Sequence, residues 1–193
     1  MLIVDSNRAT VEQSLLAGAL ACPNCRGELR PWSSARRRPV RERGIETALT
    51  PRRSRCSSCK KTHVLLPDTT LPRRRDALAA IGSALLAKAA GEGRRRIGEA
   101  LSVPPDTVRG WLRRFALHAE AWRAHCWAWA HALEPSLAAI EPAGSVFADA
   151  LSAIGLAVSA ATRRFGPRPS WGWVAVITGG RLLANTSSPS LAA

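Results

Sequence analysis

The chain has 193 residues, of which 46% are hydrophobic, and this content excludes a wholly disordered polypeptide. Its 28 lysine and arginine residues outnumber its 14 aspartate and glutamate residues, which gives a net charge of +14. A chain this basic is typical of proteins that bind nucleic acid, with ribosomes and anionic membranes as alternatives. Residues 30–75 hold most of the excess, and such a run of like charges is also typical of a solvated loop without a partner.

Residues 1–20 are predicted to be a helical or frayed lead-in, since Val11, Leu15 and Leu16 have helical spacing. Charged residues interrupt this segment, so it lacks the apolar core of a signal peptide, and a cytoplasmic, nucleoid-associated location is expected. The longest apolar run, residues 144–162, contains Asp149, which disfavours a membrane span. We therefore expect no membrane partner.

Two CxxC pairs, Cys22 with Cys25 and Cys56 with Cys59, are the strongest signal in the sequence. Each pair can turn tightly around one metal ion, and four thiolates form the tetrahedral set that Zn²⁺ favours. We predict a structural zinc ion with no open position for catalysis. A disulfide pairing is disfavoured without a secretory signal, and a thioredoxin-like redox motif would need a βαβ context.

The zinc module is predicted to be a ribbon over residues 21–67. The 30 residues between the cysteine pairs exceed the usual spacing, so an arginine-rich insertion is expected over residues 36–55. His63 is close enough in sequence to replace one thiolate. We expect it instead to be exposed or to face phosphate, because four cysteines complete the set. Cys126 is expected to be a small buried thiol.

Three helices are predicted in residues 68–117 as a helix-turn-helix domain. The first begins at Pro72 and ends before Gly91, the second spans residues 94–101, and the third runs from Pro105 to residue 133. Residues 94–113 match the helix-turn-helix pattern, with a small residue, Gly98, where two helices approach closely and Ser102 where glycine is commoner. The predicted core residues of this pattern are Ile97, Leu101, Val103, Val108 and Trp111.

In this arrangement the last helix enters the major groove, whose width admits one α-helix. Arg109 and Arg113 lie one turn apart and are the best candidates for guanine or phosphate contacts, while Asp106 and Thr107 can contact bases or cap the helix. Pro104 stands where a serine cap is common. The predicted DNA-binding residues are Arg94, Arg95, Arg96, Asp106, Thr107, Arg109, Arg113 and Arg114.

Residues 118–184 are predicted to be a C-terminal helical region that shares its first helix with the preceding domain. Phe115, Ala119, Trp122, Cys126, Trp129 and Leu133 recur at heptad spacing. This stripe packs either within the chain, which is commoner for so few heptads, or against a second copy in a homodimer. Residues 144–164 are predicted to be helical, residues 170–184 form an apolar segment of uncertain type, and residues 185–193 form a mobile tail.

No catalytic machinery is predicted. Metal-dependent transposases and nucleases need two or three carboxylates on adjoining strands. The acids after the helix-turn-helix are Glu120, Glu134, Glu141 and Asp149, in helical or proline-flanked surroundings. We therefore expect the chain not to be an enzyme.

The segments CPNC, RCSSCKKTHVLLP, TVRGWLRRF and WGWVAVITGGRLL resemble an uncharacterised family of actinomycete proteins, from Cys22 to about Pro189. The arrangement is similar to the N-terminal DNA-binding parts of insertion-sequence transposases. This resemblance implies recognition of element ends beside an integrase-type transposase, with no catalytic residues to carry over.

The sequence thus predicts a mainly α protein, with a small N-terminal zinc ribbon, a three-helix helix-turn-helix domain and a C-terminal helical region. The predicted function is sequence-specific binding of double-stranded DNA for a mobile element, as a transposition accessory subunit or a repressor. An ordinary transcriptional regulator is one alternative. The other is a zinc-stapled module that binds RNA or a protein.

Overall fold

The computed structural model describes residues 1–138 and 141–184, so the tail predicted over residues 185–193 lies outside the described residues. Of the residues described, 47% are helical and 19% are in strands. The strands are β1 (Leu2–Val4), β2 (Leu29–Ser34), β3 (Arg38–Glu42), β4 (Ile45–Leu49), β5 (Arg52–Cys56) and β6 (Thr62–Pro67). The helices are α1 (Arg8–Leu16), α2 (Leu78–Ala89), α3 (Arg94–Leu101), α4 (Pro105–Leu117), α5 (Ala119–Leu133), α6 (Val146–Phe165) and α7 (Ser170–Ile177).

Four strands form a mixed sheet in the order β1-β6-β5-β2. β1 runs parallel to β6, with Leu2 opposite Leu65, and the other pairs are antiparallel. Leu29 and Leu65 are buried in a small core with Leu15 of α1. The predicted lead-in therefore contains a strand as well as a helix, and that strand pairs with residues more than 60 positions away.

β3 and β4 form a separate hairpin inside the arginine-rich insertion. Its two-residue turn is Arg43–Gly44, with left-handed φ values of 48° and 80°, a backbone that matches the twist of an antiparallel pair. Val40 is buried, whereas β4 is exposed along most of its length. The insertion is thus an ordered ribbon with a largely exposed strand.

The predicted mainly α fold class is wrong, because six strands occupy the N-terminal half of a mixed α and β structure. The three predicted helix-turn-helix helices also do not stand apart as a domain of their own. Helices α2 to α7 contribute to one hydrophobic core, and α2 contacts α6 and α7 as well as its sequence neighbours. Phe115 of α4 packs edge-on against Phe147 of α6, with ring centroids 4.8 Å apart.

Two predicted helices have different bounds. α2 begins at Leu78 and not at Pro72, since Thr70 and Ala77 pair as a β-bridge before it. The long helix predicted from Pro105 to residue 133 is broken at His118, whose φ of −118° and ψ of 12° end α4 and start α5 in a new direction. The heptad stripe on α5 is buried at Trp122 and Cys126, within this chain.

Helix α6 packs against α5 through a row of buried alanines. By length and composition it could cross a membrane, but 44% of its most apolar window is buried inside the structure. The core helix of a soluble protein meets the same criteria, so this feature is weak support for a membrane span.

Arg168 ties the sheet to the helical core. Its Nη1 lies 2.6 Å from Asp68 Oδ2 in the loop after β6, and its Nη2 lies 3.5 Å from Asp5 Oδ2 after β1. The guanidinium also lies over the Trp173 ring of α7, 4.9 Å from its centroid. Burial raises the pKa of Asp68, and the charge of Arg168 opposes that rise. The carboxylate of Asp68 therefore depends on this arginine.

We expect Arg168→Ala to destabilise the protein by about 3 kcal/mol, because it leaves the buried Asp68 carboxylate without its partner. Chemical denaturation measures the free energy of unfolding. The matched control is Arg163→Ala, which removes the more exposed ion pair with Glu134 and should cost less than about 1 kcal/mol. Equal losses in the two variants would contradict the structural role of Arg168.

Candidate metal centre and basic surface

Two similar turns bring the four predicted metal ligands together. In the first turn Cys22 N donates to Gly27 O at 2.7 Å, and in the second Cys56 N donates to Lys61 O at 2.9 Å, five residues ahead in both cases. The residue after each pair, Arg26 or Lys60, has a left-handed φ near 60°. The two turns thus wrap their thiols alike.

The four sulfur atoms lie within 4.8 Å of one another. Cys22 Sγ is 3.7 Å from Cys59 Sγ, and Cys25 Sγ is 3.5 Å from Cys56 Sγ. Four sulfurs each about 2.3 Å from one ion would be about 3.8 Å apart at the corners of a tetrahedron. The geometry therefore fits a single metal ion, and the predicted ligand cluster is confirmed as one that could hold a metal.

The close packing of the two turns requires Gly27, since a Cβ there would collide with the side chain of Ser58. Burial raises the pKa of Cys56, but the N–H groups of Cys59 and Ser58 and the neighbouring thiols lower it to about 6. The N–H of Lys61 lowers the pKa of Cys59, but burial and the other thiols raise it to about 11. Without a cation the four thiols therefore share their protons, whereas a bound cation favours four thiolates.

His63 is buried beside the cluster, which makes the prediction of an exposed histidine wrong. It lies on β6 opposite Ser54, with 7% of its surface exposed, and its Nε2 is 3.3 Å from Cys22 Sγ. Burial lowers the pKa of His63, so the neutral ring is favoured. A neutral imidazole with its proton on Nε2 donates to the Cys22 thiolate, and donors of this kind orient and stabilise metal ligands.

Cys126 lies apart from the cluster, in the core between α5 and its neighbours, with 1% of its surface exposed. Burial raises its pKa to about 12. It stays protonated at neutral pH, as the prediction of an inert buried thiol requires. All five cysteines are free thiols.

α3 and α4 pack closely around a three-residue turn. A Cβ on Gly98 would lie 2.7 Å from Val103 O, so the small residue is needed for the approach of the two segments. Ser102 has the left-handed φ of 52° that this turn requires, where glycine was expected to be commoner. The five residues predicted as the core of this pair are all buried: Ile97, Leu101, Val103, Val108 and Trp111.

The exposed side of α4 is a ridge between two basic clefts. Asp106, Gly110 and Arg113 form its crest and line a shallow depression of about 380 Å³. On one side Arg109 and Arg113 face Arg94, at the start of α3, and Lys88 across an apolar floor. On the other side the cleft is lined by Arg41, Arg73, Arg74, Arg75, Asp76, Asp106, Thr107, Gly110, Trp111 and Arg114.

Seven of the eight predicted DNA-contacting residues are consistent with one surface or its margins, and one stands apart in the lining of the clefts. Arg94, Asp106, Thr107, Arg109, Arg113 and Arg114 line the clefts beside α4. Arg95 and Arg96 are exposed in the first turn of α3 and line none of these three clefts. Arg109 forms a weak, exposed ion pair with Asp106, 3.5 Å apart, which leaves its guanidinium accessible.

The sequence did not predict that Arg41 and residues 73–75 lie beside α4. They belong to the hairpin and to the segment before α2, and no local pattern connects them to a helix some thirty residues later. Their high charge density was visible in the sequence, but it did not indicate where these residues lie in the fold.

Metal analysis of the purified protein should find about one divalent ion per chain, because the four thiols form one closed set. Cys22→Ser and Cys56→Ser should each lose the ion and lower the thermal midpoint, since the metal's binding free energy contributes to folding. Cys126→Ser is the control and should retain the ion. Full metal content in both ligand variants would contradict this assignment.

His63→Ala should weaken metal binding by about 10- to 100-fold, because it removes the donor to the Cys22 thiolate. Competition with a chromophoric chelator measures this affinity. His131→Ala, whose ring contacts α5 far along the chain, is the control. An unchanged affinity for His63→Ala would show that the contact does not support the metal.

Comparisons with known proteins add one finding. Residues 22–99 are similar to a family described as a domain of unknown function, DUF6431, and this stretch runs from the first metal-cluster cysteine into α3. No curated protein and no solved structure matches the chain. These comparisons name neither a transposase nor a group of organisms, so the association with mobile elements stays a prediction.

Proposed function

We propose that this chain binds double-stranded DNA in a sequence-specific manner, with the ridge of α4 in the major groove. The observation that carries the proposal is an exposed helix ridge with basic side chains along both of its sides. A protein on DNA needs base contacts at the centre and phosphate contacts around them. The ridge supplies candidates for both.

Arg109 and Arg113 are the proposed base-reading residues, since a guanidinium can donate two hydrogen bonds to the O6 and N7 atoms of guanine. Both side chains line the clefts at the exposed side of α4. Asp106, at the start of the helix, can accept from the amino group of cytosine, and Thr107 can contact either kind of base. Gly110 between them leaves room for a base edge.

Arg94, Arg95 and Arg96 are proposed to contact phosphates. They occupy the first turn of α3, where side chains and free backbone N–H groups meet an anion favourably. Such contacts fix the position of the protein on the duplex but do not distinguish sequences. In this proposal α3 holds the backbone while α4 reads the bases, as in a helix-turn-helix.

Zn²⁺ is the proposed ion at the cysteine cluster. Four thiolates with S–S separations near 3.6 Å, as in the 3.5 and 3.7 Å pairs, suit a borderline-soft tetrahedral ion. The four ligands leave no position for water, so the ion's role is structural. The protein is accordingly proposed to have no catalytic activity of its own.

A role at a mobile element remains part of the proposal, on the strength of the sequence resemblance alone. The chain would then bind terminal inverted repeats as an accessory subunit or a repressor, beside an integrase-type transposase. Two copies would bind paired half-sites, since two-fold symmetric proteins read symmetric sites. Selected sites in promoters would instead indicate an ordinary transcriptional regulator.

An exposed tryptophan favours a second candidate, RNA binding by the metal module. Trp32 on β2 is 54% exposed, and the Arg55 guanidinium lies 4.8 Å from its ring centroid. Aromatic and arginine side chains on a sheet are typical of surfaces that stack unpaired bases. Trp32→Ala would then weaken binding to single-stranded RNA while duplex binding stays unchanged.

Selection from a random pool of duplexes should recover a preferred sequence. Replacing both Arg109 and Arg113 by alanine should weaken binding to that sequence by about 30-fold or more, since each lost contact is worth about 1–3 kcal/mol. Binding to unrelated duplexes should fall less, so the specificity ratio decreases. Fluorescence anisotropy with specific and scrambled duplexes measures both quantities.

The matched control replaces Arg123 and Arg163, two exposed arginines of α5 and α6 that pair with glutamates away from the ridge. This variant loses the same charge and should retain the specificity ratio. No preferred sequence for the unmodified protein, or an equal loss in the two double variants, would contradict the proposal.

A further inference from the structure

Residues 73–75, here called the arginine loop, lie against α4 although they precede it by some thirty residues. Together with Arg41 they line one wall of a cleft of about 310 Å³, and Thr107, Gly110 and Arg114 line the other. The side chains of Arg73 and Arg75 are exposed. The cleft therefore opens to solvent beside the ridge.

The hairpin fixes the backbone of the arginine loop. Arg41 N donates to Arg75 O at 2.6 Å, and Ala77 N donates to Arg41 O at 2.8 Å. The side chain of Arg41 bonds Asp76 Oδ1 at 2.9 Å, and only 6% of that aspartate's side chain is exposed. These contacts add a short strand-like pairing to β3, so the loop is held in place before any ligand arrives.

The other end of the hairpin touches the turn of the helix pair. A Cβ added at Gly44, in the hairpin turn, would lie 3.3 Å from Ser102 Cβ, in the turn between α3 and α4. The hairpin thus lies beside the helix pair at its tip and at Arg41. Arg74 fixes the loop from the far side, since its Nη2 donates to Leu183 O at 2.6 Å.

The charges around this cleft are unbalanced. Five arginines line it, against two acids. Asp76 is bonded to Arg41, and Asp106 lies at 3.5 Å from Arg109 on the ridge. Burial and the charge of Arg114 lower the pKa of Arg74, which reflects the cost of bringing these cations together. An anion in the cleft would offset that cost.

We infer that the arginine loop and Arg41 form a second contact to the sugar–phosphate backbone of DNA, on the side of α4 opposite Arg94. This inference rests on the proposed function, because it takes the bound duplex as its ligand. The contact is independent of base sequence, since guanidinium groups beside a groove meet phosphate oxygens, which every sequence presents. A helix in the major groove has a phosphate strand on each side, and the two basic clefts occupy those sides.

The test replaces Arg73 and Arg75 by glutamine, which keeps the chain length of the side chains and removes two charges. Arg74 is kept because its guanidinium bonds the main chain. Arg36→Gln with Arg37→Gln is the matched control, since both are exposed arginines just before β3 that do not line this cleft. Binding to the selected duplex is measured over a series of salt concentrations.

The loop variant should bind all duplexes more weakly, with an unchanged specificity ratio. The slope of log K against log salt should become shallower by about 1.8, which corresponds to two fewer phosphate contacts. The control should keep the slope of the unmodified protein. Equal slopes for the loop variant and the control would overturn the inference.

Ethylation interference locates the contact. Phosphates on one side of the site whose ethylation blocks the unmodified protein should no longer matter for the loop variant, while those lost with Arg94→Gln should lie on the other side. An unchanged interference pattern for the loop variant would also overturn the inference. If the unmodified protein shows no preferred duplex, the proposed function fails first, and that result is distinct from a sequence-specific protein whose loop variant behaves like the control.

Discussion

Convergence of four cysteine sulfurs is the constraint on which the N-terminal half depends. The sulfur atoms lie within 4.8 Å of one another, although the two pairs are separated by 30 residues. The small core beside them has few apolar members: Val4, Val11, Leu15, Leu29 and Leu65, together with Cys22 and Cys56. A core of this size supplies little stability, and modules of this kind are commonly completed by a metal ion. The ion's binding free energy then replaces the missing hydrophobic burial.

The same constraint reaches the basic surface through the hairpin. β3 and β4 lie between the two cysteine pairs, so their ends are fixed when the pairs come together. Arg41 of β3 bonds the backbone of Arg75 and Ala77 and the carboxylate of Asp76. Closing the cluster therefore also positions the segment that precedes α2. The metal centre and the ridge of α4 are mechanically connected although no residue belongs to both.

Local signals predicted some parts of this structure well. The cysteine pairs, the bounds of α3 and the start of α4 at Pro105 follow from short-range spacing and from the backbone preferences of proline. The strands did not, because β3 and β5 are rich in arginine and lack the alternation of apolar and polar residues that marks a half-buried strand. Their pairing is held by the cysteine turns and by long-range partners, as with β1 on β6.

The candidate site divides in the same way. The four metal ligands were predictable, whereas the burial of His63 follows from its position on β6 beside Cys22, and the break at His118 follows from packing on α6. The arginine loop was visible only as a run of charge. Neither its wall of the cleft nor its neighbour Thr107 was indicated by any spacing in the sequence.

The start of α4 explains why the arginines matter for the proposed function. Pro104 and Pro105 precede the first turn, with no side-chain cap, and proline provides no N–H for an anion. Asp106 occupies that turn, where its negative charge suits the positive end of the helix dipole but repels a phosphate. This helix end is therefore poorly built to hold the DNA backbone. Phosphate contacts must come from the side chains on either side of the ridge, and the positive charge of the fold is placed there, at Arg94 and at the arginine loop.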